Sequence, residues 1–204
     1  MIRLDKKCRR CRREDQKLFL KGEKCLGPKC PFTRRSYAPG EHGQARGVRP
    51  SEYLRQLREK QKAARIYGVS ERVLGNVFKK ARRTRSSIIE LLELRLDNAI
   101  YRSGLAPSRA AARSYVSHGH ILIDGRKITI PSFEIGENNQ ISLGPKASKG
   151  KIGENLAKYL KKYNPPAWIS LDKKKMSATI TRLPKKEEIE GIIAEPLIIE
   201  YYSK

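Results

Sequence analysis

The sequence predicts an α+β protein, and three observations support this. Apolar residues recur at helical spacing in the middle of the chain, between Ser51 and Ser117. Short β-branched runs separated by turn residues follow, between Ile121 and Leu183. Residues of the hydrophobic class make up 38% of the chain, which with its 15 glycines is enough for a folded core. Helices followed by strands that pair antiparallel are typical of the α+β class.

The four cysteines form a cluster near the start of the chain. They lie as two close pairs, Cys8 with Cys11 and Cys25 with Cys30. Two such pairs are typical of a tetrahedral zinc site with four thiolate ligands and no open position, which is a structural site. We therefore expect one structural Zn²⁺. An iron–sulfur cluster uses the same ligands and remains an alternative. A pair of disulfides is a further alternative, which a reducing compartment disfavours.

Helix signals begin after a loop rich in glycine and proline, at residues 37–50. Ser51 and Gly68 are residue types that begin and end helices, so we expect a helix at 51–67, and Ser70 is expected to begin a second helix. The apolar stripes of the two helices should be buried. They consist of Tyr53, Leu54, Leu57 and Ala64 on the first, and Val73, Leu74, Val77, Phe78 and Ala81 on the second.

The remaining elements follow in order. A third helix is expected at 87–103, and Pro107-Ser108 begins a fourth at 109–117. Strands are expected at 121–123, 128–130 and 141–143, the first two joined by the turn Asp124-Gly125. A flexible basic linker at 144–153, a helix at 154–163 and a hairpin of 168–171 with 176–183 come next. A short acidic helix after Pro184 and an apolar end at 197–202 complete the chain.

The chain carries a large positive charge, formally +24 at pH 7. Residues 1–50, 51–110 and 111–184 carry +10, +8 and +8, and only 185–204 is acidic, at −2. Self-repulsion of this size opposes a compact state unless a polyanion neutralises it. Nucleic acid does so through phosphate contacts and counterion release. This distribution favours a protein that RNA surrounds over one that contacts RNA through a single element.

Other features restrict the class of protein. No segment approaches 18 uncharged apolar residues, so we expect no membrane span. The first residues lack the apolar stretch of a signal peptide, and we expect the protein to stay in the cytoplasm. No pattern indicates a catalytic centre or a small-molecule substrate.

A resemblance to a known family rests on residues 95–127. Arg95-Leu-Asp-Asn98, Ser108-Arg109, and the run from Val116 to His120 resemble the RNA-binding domain named after small ribosomal subunit protein four. In that domain two short helices and a strand–turn–strand form an L-shaped basic surface, the alpha-L motif. The resemblance continues through Tyr37-Ala-Pro-Gly-Glu-His-Gly43 and the C-terminal residues 197–204, in the bacterial style and in the form that carries four cysteines.

The resemblance implies three divisions of the chain. Residues 1–45 would form a zinc-binding segment, and 46–89 a helical domain completed by 185–204. Residues 90–184 would form the RNA-binding domain, with the alpha-L motif at about 93–157. The implied function is that of a structural constituent of the small ribosomal subunit, which binds small-subunit ribosomal RNA early in assembly. The implied partners are small-subunit protein five, in support of translational accuracy, and messenger RNA near the channel through which it enters.

The candidate RNA contacts lie along most of the chain. Arg109 and Arg113 are four residues apart and should share one helix face. Ser108 should cap that helix and leave N–H groups for a phosphate, and Gly119 should let RNA approach the backbone closely. The full set is Arg9, Arg12, Tyr37, Gly40, His42, Arg46, Arg49, Arg55, Arg58, Lys62, Arg65, Arg95, Ser108, Arg109, Arg113, His118, Gly119, His120 and Lys127.

Two other functions are compatible with parts of the sequence. An RNA-modifying enzyme can carry the same RNA-binding domain, but little chain remains here for a catalytic domain. A free zinc-containing RNA-binding regulator or RNA chaperone would have the same charge and the same cysteines. Only the extent of the resemblance along the chain favours the ribosomal function.

Overall fold

The structure is a computed structural model that describes residues 7–44, 49–161, 163–185, 188–189 and 191–203. The chain divides into two compact units. Unit 1 comprises Met1–Ile88 with Glu190–Lys204, and unit 2 comprises Ile89–Ile189. The segment expected to bind zinc and the segment expected to form a helical domain therefore both lie in unit 1. Mixed helices and an antiparallel sheet confirm the α+β class.

Unit 1 begins with short helices and continues with longer ones. Helix α1 spans Lys7–Arg13, a 3₁₀ turn spans Gly22–Cys25, α2 spans Pro31–Arg34, and a second 3₁₀ turn spans Glu41–Gln44. Helices α3 (Glu52–Tyr67) and α4 (Glu71–Thr84) follow, and α10 (Glu195–Ser203) packs against them. The side chain of Ser51 caps α3, and that of Ser70 caps α4. Gly68 ends α3 at φ +64°, a conformation that glycine adopts without strain.

The buried face of α3 differs from the predicted stripe. Tyr53 is 53% exposed, and the buried residues of this helix include Gln56 and Lys60. The reason is that α10 supplies polar partners. The Gln56 amide donates a 2.9 Å hydrogen bond to the Glu200 carboxylate, which compensates for its burial.

Unit 2 contains the sheet and the remaining helices. Helices α5 (Ile88–Glu93), α6 (Leu96–Arg102) and α7 (Arg109–Ser117) precede β1 (Ile121–Ile123), β2 (Arg126–Lys127) and β3 (Gln140–Leu143). Helices α8 (Pro145–Ser148) and α9 (Lys151–Leu160) precede β4 (Ile169–Asp172) and β5 (Ser177–Ile180). The strands pair antiparallel in the order β2-β1-β3-β5-β4. One core, with Leu96, Ile121, Ile141 and Trp168 fully or almost fully buried, joins the helices to this sheet.

Three expectations for unit 2 are wrong. The helix expected at 87–103 is interrupted at Arg95, where the backbone is extended and Leu96 N–H donates to the Phe133 carbonyl at 2.8 Å. The strand expected at 128–130 is replaced by β2 at Arg126–Lys127. Both residues of the Asp124-Gly125 turn have positive φ, so the return strand begins at once. The linker expected at 144–153 contains α8 and the start of α9.

The other expected elements can be compared directly. The helix at 109–117, the strands at 121–123 and 141–143, and the hairpin of β4 with β5 are confirmed. The acidic helix expected after Pro184 falls partly on residues 186, 187 and 190, outside the described residues. No helix in the described part of the chain is long and apolar enough to cross a membrane.

Candidate nucleic-acid interface

A buried carboxylate, Glu93, joins the helices of the alpha-L motif. Its side chain is 1% exposed and accepts two hydrogen bonds of 2.9 Å from the Arg102 guanidinium. The Asn98 amide donates to the same carboxylate at 2.6 Å, and the Arg109 guanidinium lies 3.9 Å away. A buried charge is stable only when it is paired and hydrogen-bonded in this way. Glu93 therefore fixes α5, α6 and α7 relative to one another.

Arg95 and Asp97 form a second charged pair at the start of α6. Two hydrogen bonds, of 3.2 and 3.0 Å, run from the Arg95 guanidinium to the Asp97 carboxylate, and both residues are buried. Arg113 approaches the same carboxylate from α7, at 3.4 Å. The predicted RNA contact at Arg95 thus lies on a side chain that is held inside the unit, where it supports the interruption between α5 and α6.

The two arginines of α7 have different environments. The Arg109 side chain is 13% exposed, and its guanidinium carbon lies 4.4 Å from the Tyr101 ring centroid. The Arg113 side chain is 46% exposed. Because Arg109 is held by Glu93, Asn98 and Tyr101, most of its charge is directed into the unit. Arg113 presents its charge to solvent while remaining anchored to Asp97.

Ser108 begins α7 as expected. Its hydroxyl accepts a 3.3 Å hydrogen bond from the Ala111 N–H, which satisfies one of the donors at the helix start. Ser108 is itself buried, whereas the neighbouring Pro107 and Ala110 are exposed. Exposed residues therefore lie on both sides of the cap at the start of this nine-residue helix.

The segment from His118 to His120 connects α7 to β1, and Gly119 in its centre has φ +67°. A Cβ atom built on Gly119 would lie 2.0 Å from the Lys127 Cε atom. A side chain at position 119 would therefore strain the backbone and displace the end of the Lys127 side chain. The rings of His118 and His120 lie 6.1 Å apart. The structure thus places four of the candidate RNA contacts, His118, Gly119, His120 and Lys127, close to one another.

In unit 1, the loop that begins at Tyr37 is attached to α1. The Arg12 guanidinium lies 4.8 Å from the Tyr37 ring centroid, and its Nε donates a 2.9 Å hydrogen bond to the Tyr37 carbonyl. Gly40 and His42 are exposed in the same loop, and Gly43 is so close to the Ala38 carbonyl that no Cβ would fit. Arg9 and Arg49 are also exposed, whereas the predicted contact at Arg46 lies outside the described residues.

The cations of α3 are largely paired with acids of unit 1. Glu14 has a side chain only 2% exposed and forms ion pairs with Arg65 and, at 3.8 Å, with Arg58. Lys62 pairs with Glu59 at 2.6 Å, and Arg55 with Glu52 at 3.6 Å. The Glu14 pairs attach the cysteine segment to α3. Of the four predicted RNA contacts on this helix, only Arg55 is exposed, with 47% of its side chain accessible.

The cysteine segment gathers its sulfur atoms in one region of unit 1. Cys11, Cys25 and Cys30 are buried, and none of the four cysteines is in a disulfide. Cys8, Cys25 and Cys30 line a common pocket. Burial raises the pKa of the Cys11 thiol, a hydrogen bond from Leu18 acts against this, and the other three sulfurs raise it further.

The donor chemistry of this segment fits a zinc ion, because its four cysteines can supply four thiolate ligands. The arrangement is not that of a finished coordination shell. In the described part of the chain, no group of three or more His, Cys, Asp or Glu side chains is placed to hold a metal ion. The metal ligands Cys8, Cys11, Cys25 and Cys30 therefore stay a prediction.

Sequence reasoning missed the residues that support this surface. Glu93 and Arg102 were not expected to matter, although they organise three helices. Glu14 was likewise not singled out. Glu93 and Arg102 are nine residues apart, and the helix is interrupted between them. Their spacing therefore does not indicate that the two side chains form a pair. The acidic residues that lie close in sequence to predicted RNA contacts could have suggested that some of these cations form internal ion pairs.

The fold and this surface define a class of protein: a cationic chain in which an alpha-L motif follows a helical unit. Two family descriptions match it in succession. Residues 3–95 match "Ribosomal protein S4/S9 N-terminal domain", and residues 94–141 match "S4 domain".

Curated relatives match almost the full length of the chain. A protein of Syntrophomonas wolfei named small ribosomal subunit protein uS4 is 44% identical over 204 residues, 98% of each chain. Proteins of the same name from Desulfotalea psychrophila and Thermus thermophilus are 46% and 44% identical, over 97% of this chain and 96% of their own. The chain therefore belongs to the bacterial-type uS4 family.

Proposed function

We propose that this protein is a structural constituent of the small ribosomal subunit and binds small-subunit ribosomal RNA. The observation that carries the proposal is the similarity to uS4 proteins over 97–98% of the chain. A match confined to residues 94–141 would indicate only an S4 domain, which other kinds of protein also carry. The accompanying match at residues 3–95 extends the similarity to the part of the chain outside that domain.

The charge distribution supports RNA as the partner. A formal charge of +24 is spread over both units, and the exposed cations include Arg113 of α7 and Lys127, whose side chain lies against Gly119. Such a surface recognises folded RNA through phosphate positions and shape, since the deep major groove of RNA hides the base edges. Binding early in assembly, in the cytoplasm, is part of the proposal.

The family to which the chain belongs is structural and not enzymatic. The rival function of an RNA-modifying enzyme predicts turnover. Incubation of the purified chain with uridine-labelled RNA should release no label, and release above a no-protein control would contradict the proposal.

The cysteine segment is proposed to bind one structural zinc ion through Cys8, Cys11, Cys25 and Cys30. Support comes from the burial of three sulfurs and from the shared pocket. When bound, the ion would link α1 to the turn around Cys25 and so stabilise a segment with little core of its own. Elemental analysis of the purified chain should give one zinc per chain. Iron in its place would indicate a cluster, and neither metal, with oxidised thiols, would indicate disulfides.

Two further partners belong to the proposal. Small-subunit protein five would contact this protein in support of translational accuracy, and messenger RNA would pass close to Arg46 and Arg49 where it enters the subunit. The exposure of Arg49 is compatible with this position. Crosslinking from position 49 in assembled subunits would test the messenger RNA contact, with Arg85, exposed at the end of α4, as the control position.

Sedimentation of cell lysate tests the main proposal directly. A tagged chain should sediment mainly with small-subunit particles, and it should appear early among partly assembled particles. A chain found mainly away from these particles would instead support the free regulator or RNA chaperone. A charge-matched basic protein with no ribosomal role would serve as control for nonspecific association.

A further inference from the structure

Three consecutive lysines, Lys173, Lys174 and Lys175, form the exposed turn between β4 and β5. The turn is held by Asp172, whose Oδ1 accepts hydrogen bonds of 3.0 Å from the backbone N–H groups of Lys174 and Lys175. This interaction uses the backbone of the lysines and not their ammonium groups. These hydrogen bonds therefore hold the backbone of the turn, which keeps the three lysine side chains at this end of β4 and β5.

The register of the sheet determines which end of it this turn occupies. Asp172 is opposite Ser177, and Ser177 is opposite Ser142 of β3. The next residue of β3, Leu143, is opposite Ile121, the first residue of β1. The lysine turn therefore lies at the same end of the sheet as the His118–His120 segment, and opposite the Asp124-Gly125 turn.

Helix α8 begins at the same end of the sheet, because it directly follows Leu143 and Gly144 at the end of β3, the strand between β1 and β5. The Gly144 N–H, directly before α8, donates a 2.8 Å hydrogen bond to the His120 carbonyl. Lys146 and Lys149, in α8 and directly after it, are exposed. The sheet end thus presents five exposed lysines, which we call the lysine row: Lys146, Lys149, Lys173, Lys174 and Lys175. Within the residues that the structure describes, none of these five side chains forms an ion pair at 4.0 Å or less.

The width of the sheet indicates what the row could bind. Strands are about 4.8 Å apart, so five strands extend over about 19 Å from β2, which carries Lys127, to β4. This is too wide for one small anion and suits several phosphates of a polyanion. Protein interfaces are depleted in lysine at their centres and enriched in aromatic residues, which favours a nucleic-acid backbone over an acidic protein.

We propose that the lysine row is a second phosphate-binding surface, which extends the RNA contact of the alpha-L motif from Lys127 across the end of the sheet. The inference rests on the proposed function, since it takes RNA as the partner. It adds five contact residues that the sequence did not predict as such. They are carried by α8, its following residue and the β4–β5 turn, and not by the two helices of the motif.

A charge-matched pair of variants tests the proposal. K173A/K174A/K175A removes three charges from the row, and K158A/K161A/K185A removes three exposed charges outside it. Filter binding to small-subunit ribosomal RNA would be measured for the full chain between 50 and 200 mM salt. Loss of three phosphate contacts should weaken binding by about tenfold or more and lower the slope of log affinity against log salt by about two to three. The control variant should change the slope by less than about half a unit.

Other variants and outcomes complete the test. K173R/K174R/K175R keeps the charge and should bind as the unchanged protein does, and thermal unfolding should show that every variant is folded. Equal losses of RNA affinity for the two alanine variants, or no loss for either, would overturn the proposal that the lysine row binds phosphates. Such a result would leave the proposed function intact. Failure of the unchanged chain to bind would instead reject the proposed function. Unchanged RNA binding together with weaker binding to another small-subunit protein would assign the surface to a protein partner and overturn the proposal.

Discussion

The Nε of Arg109 donates a hydrogen bond of 2.7 Å to the Oδ1 of Asn98, although Arg109 belongs to a helix whose sequence pattern indicates a surface for RNA. The same guanidinium lies against Tyr101 and near Glu93. One arginine of α7 thus holds the motif together, while Arg113, one turn later, is half exposed. Structural support and RNA contact are divided between two residues of the same type.

This division predicts different effects for the two arginines. Arg109→Ala leaves the buried Glu93 and Asn98 without one partner and should destabilise the protein by about 2–4 kcal/mol. Arg113→Ala removes a half-exposed charge and should cost under about 1 kcal/mol, while it weakens RNA binding. Urea unfolding and RNA binding of both variants would check this. Arg109→Lys keeps the charge but loses the planar hydrogen-bond geometry, so it should recover only part of the stability. Equal stability losses for Arg109→Ala and Arg113→Ala would contradict the assignment.

We expect the ion pairs of Glu14 to stabilise the attachment of the cysteine segment to α3. Glu14→Gln leaves Arg58 and Arg65 without their buried carboxylate partner and should cost about 2–3 kcal/mol. Limited proteolysis should then cut the first 45 residues faster. Glu52→Gln breaks the exposed pair with Arg55 and is the control, with an expected cost of under about 0.5 kcal/mol. Similar proteolysis rates for the two variants would show that Glu14 does not anchor the segment.

Gly119 and Gly68 form a matched pair for testing the role of the His118–His120 segment. Both have φ near +65°, so alanine should cost each about 1 kcal/mol through the backbone. Only at Gly119 would the new methyl group displace the Lys127 side chain, because the space around Gly68 is open. Gly119→Ala should therefore weaken RNA binding severalfold, whereas Gly68→Ala should not. Equal RNA affinities of the two variants would show that Lys127 does not contact RNA.

The raised pKa of Tyr202 leads us to expect that the protein loses stability at alkaline pH. Burial, followed by the 2.8 Å hydrogen bond to the Glu71 carboxylate, raises the pKa of Tyr202 above its ordinary value of 10.0. A raised pKa means that the folded state retains the proton after the unfolded state has lost it. The stabilisation is complete below pH 10 and is lost as pH rises through the folded-state pKa.

Urea unfolding between pH 8 and 11 would measure this loss, and Tyr202→Phe should flatten the curve in part. Lys60 should account for part of the remainder, and Cys11 and Tyr115, whose pKa values burial raises, should contribute as well. Burial lowers the pKa of Lys60, but hydrogen bonds with Glu71 and Tyr201 outweigh this and raise it. Its contribution is likewise lost as pH rises. A curve for Tyr202→Phe as steep as that of the unchanged protein would rule out Tyr202 as the cause.

Local signals were sufficient to predict many elements. Ser51, Ser70 and Ser108 begin helices as expected, because a capping hydroxyl needs only the backbone three residues ahead. The Asp124-Gly125 turn was predictable for a similar reason, since its residue types allow positive φ. The proximity of Lys127 to the His118–His120 segment required only this turn and the pairing of β1 with β2.

Elements that depend on distant residues were not predictable. The interruption at Arg95 is stabilised by hydrogen bonds to residues 131–135, more than 30 positions along the chain, so the local pattern indicated one long helix. Likewise, Lys60 is buried because Glu71 and Tyr201 come to it from other helices. The charge count could not separate cations with internal acidic partners, such as Arg95 and Arg65, from those open to RNA. That separation required the three-dimensional structure.

The salt dependence of binding to small-subunit ribosomal RNA tests the central claim that phosphate contacts hold this cationic fold on RNA. If 6–10 phosphates are contacted, affinity should fall by about 10³–10⁵ between 50 and 200 mM salt. Filter binding of the purified chain over that range gives the slope directly. A flat profile, or no binding at the lowest salt concentration, would show that phosphate contacts do not hold the protein on RNA.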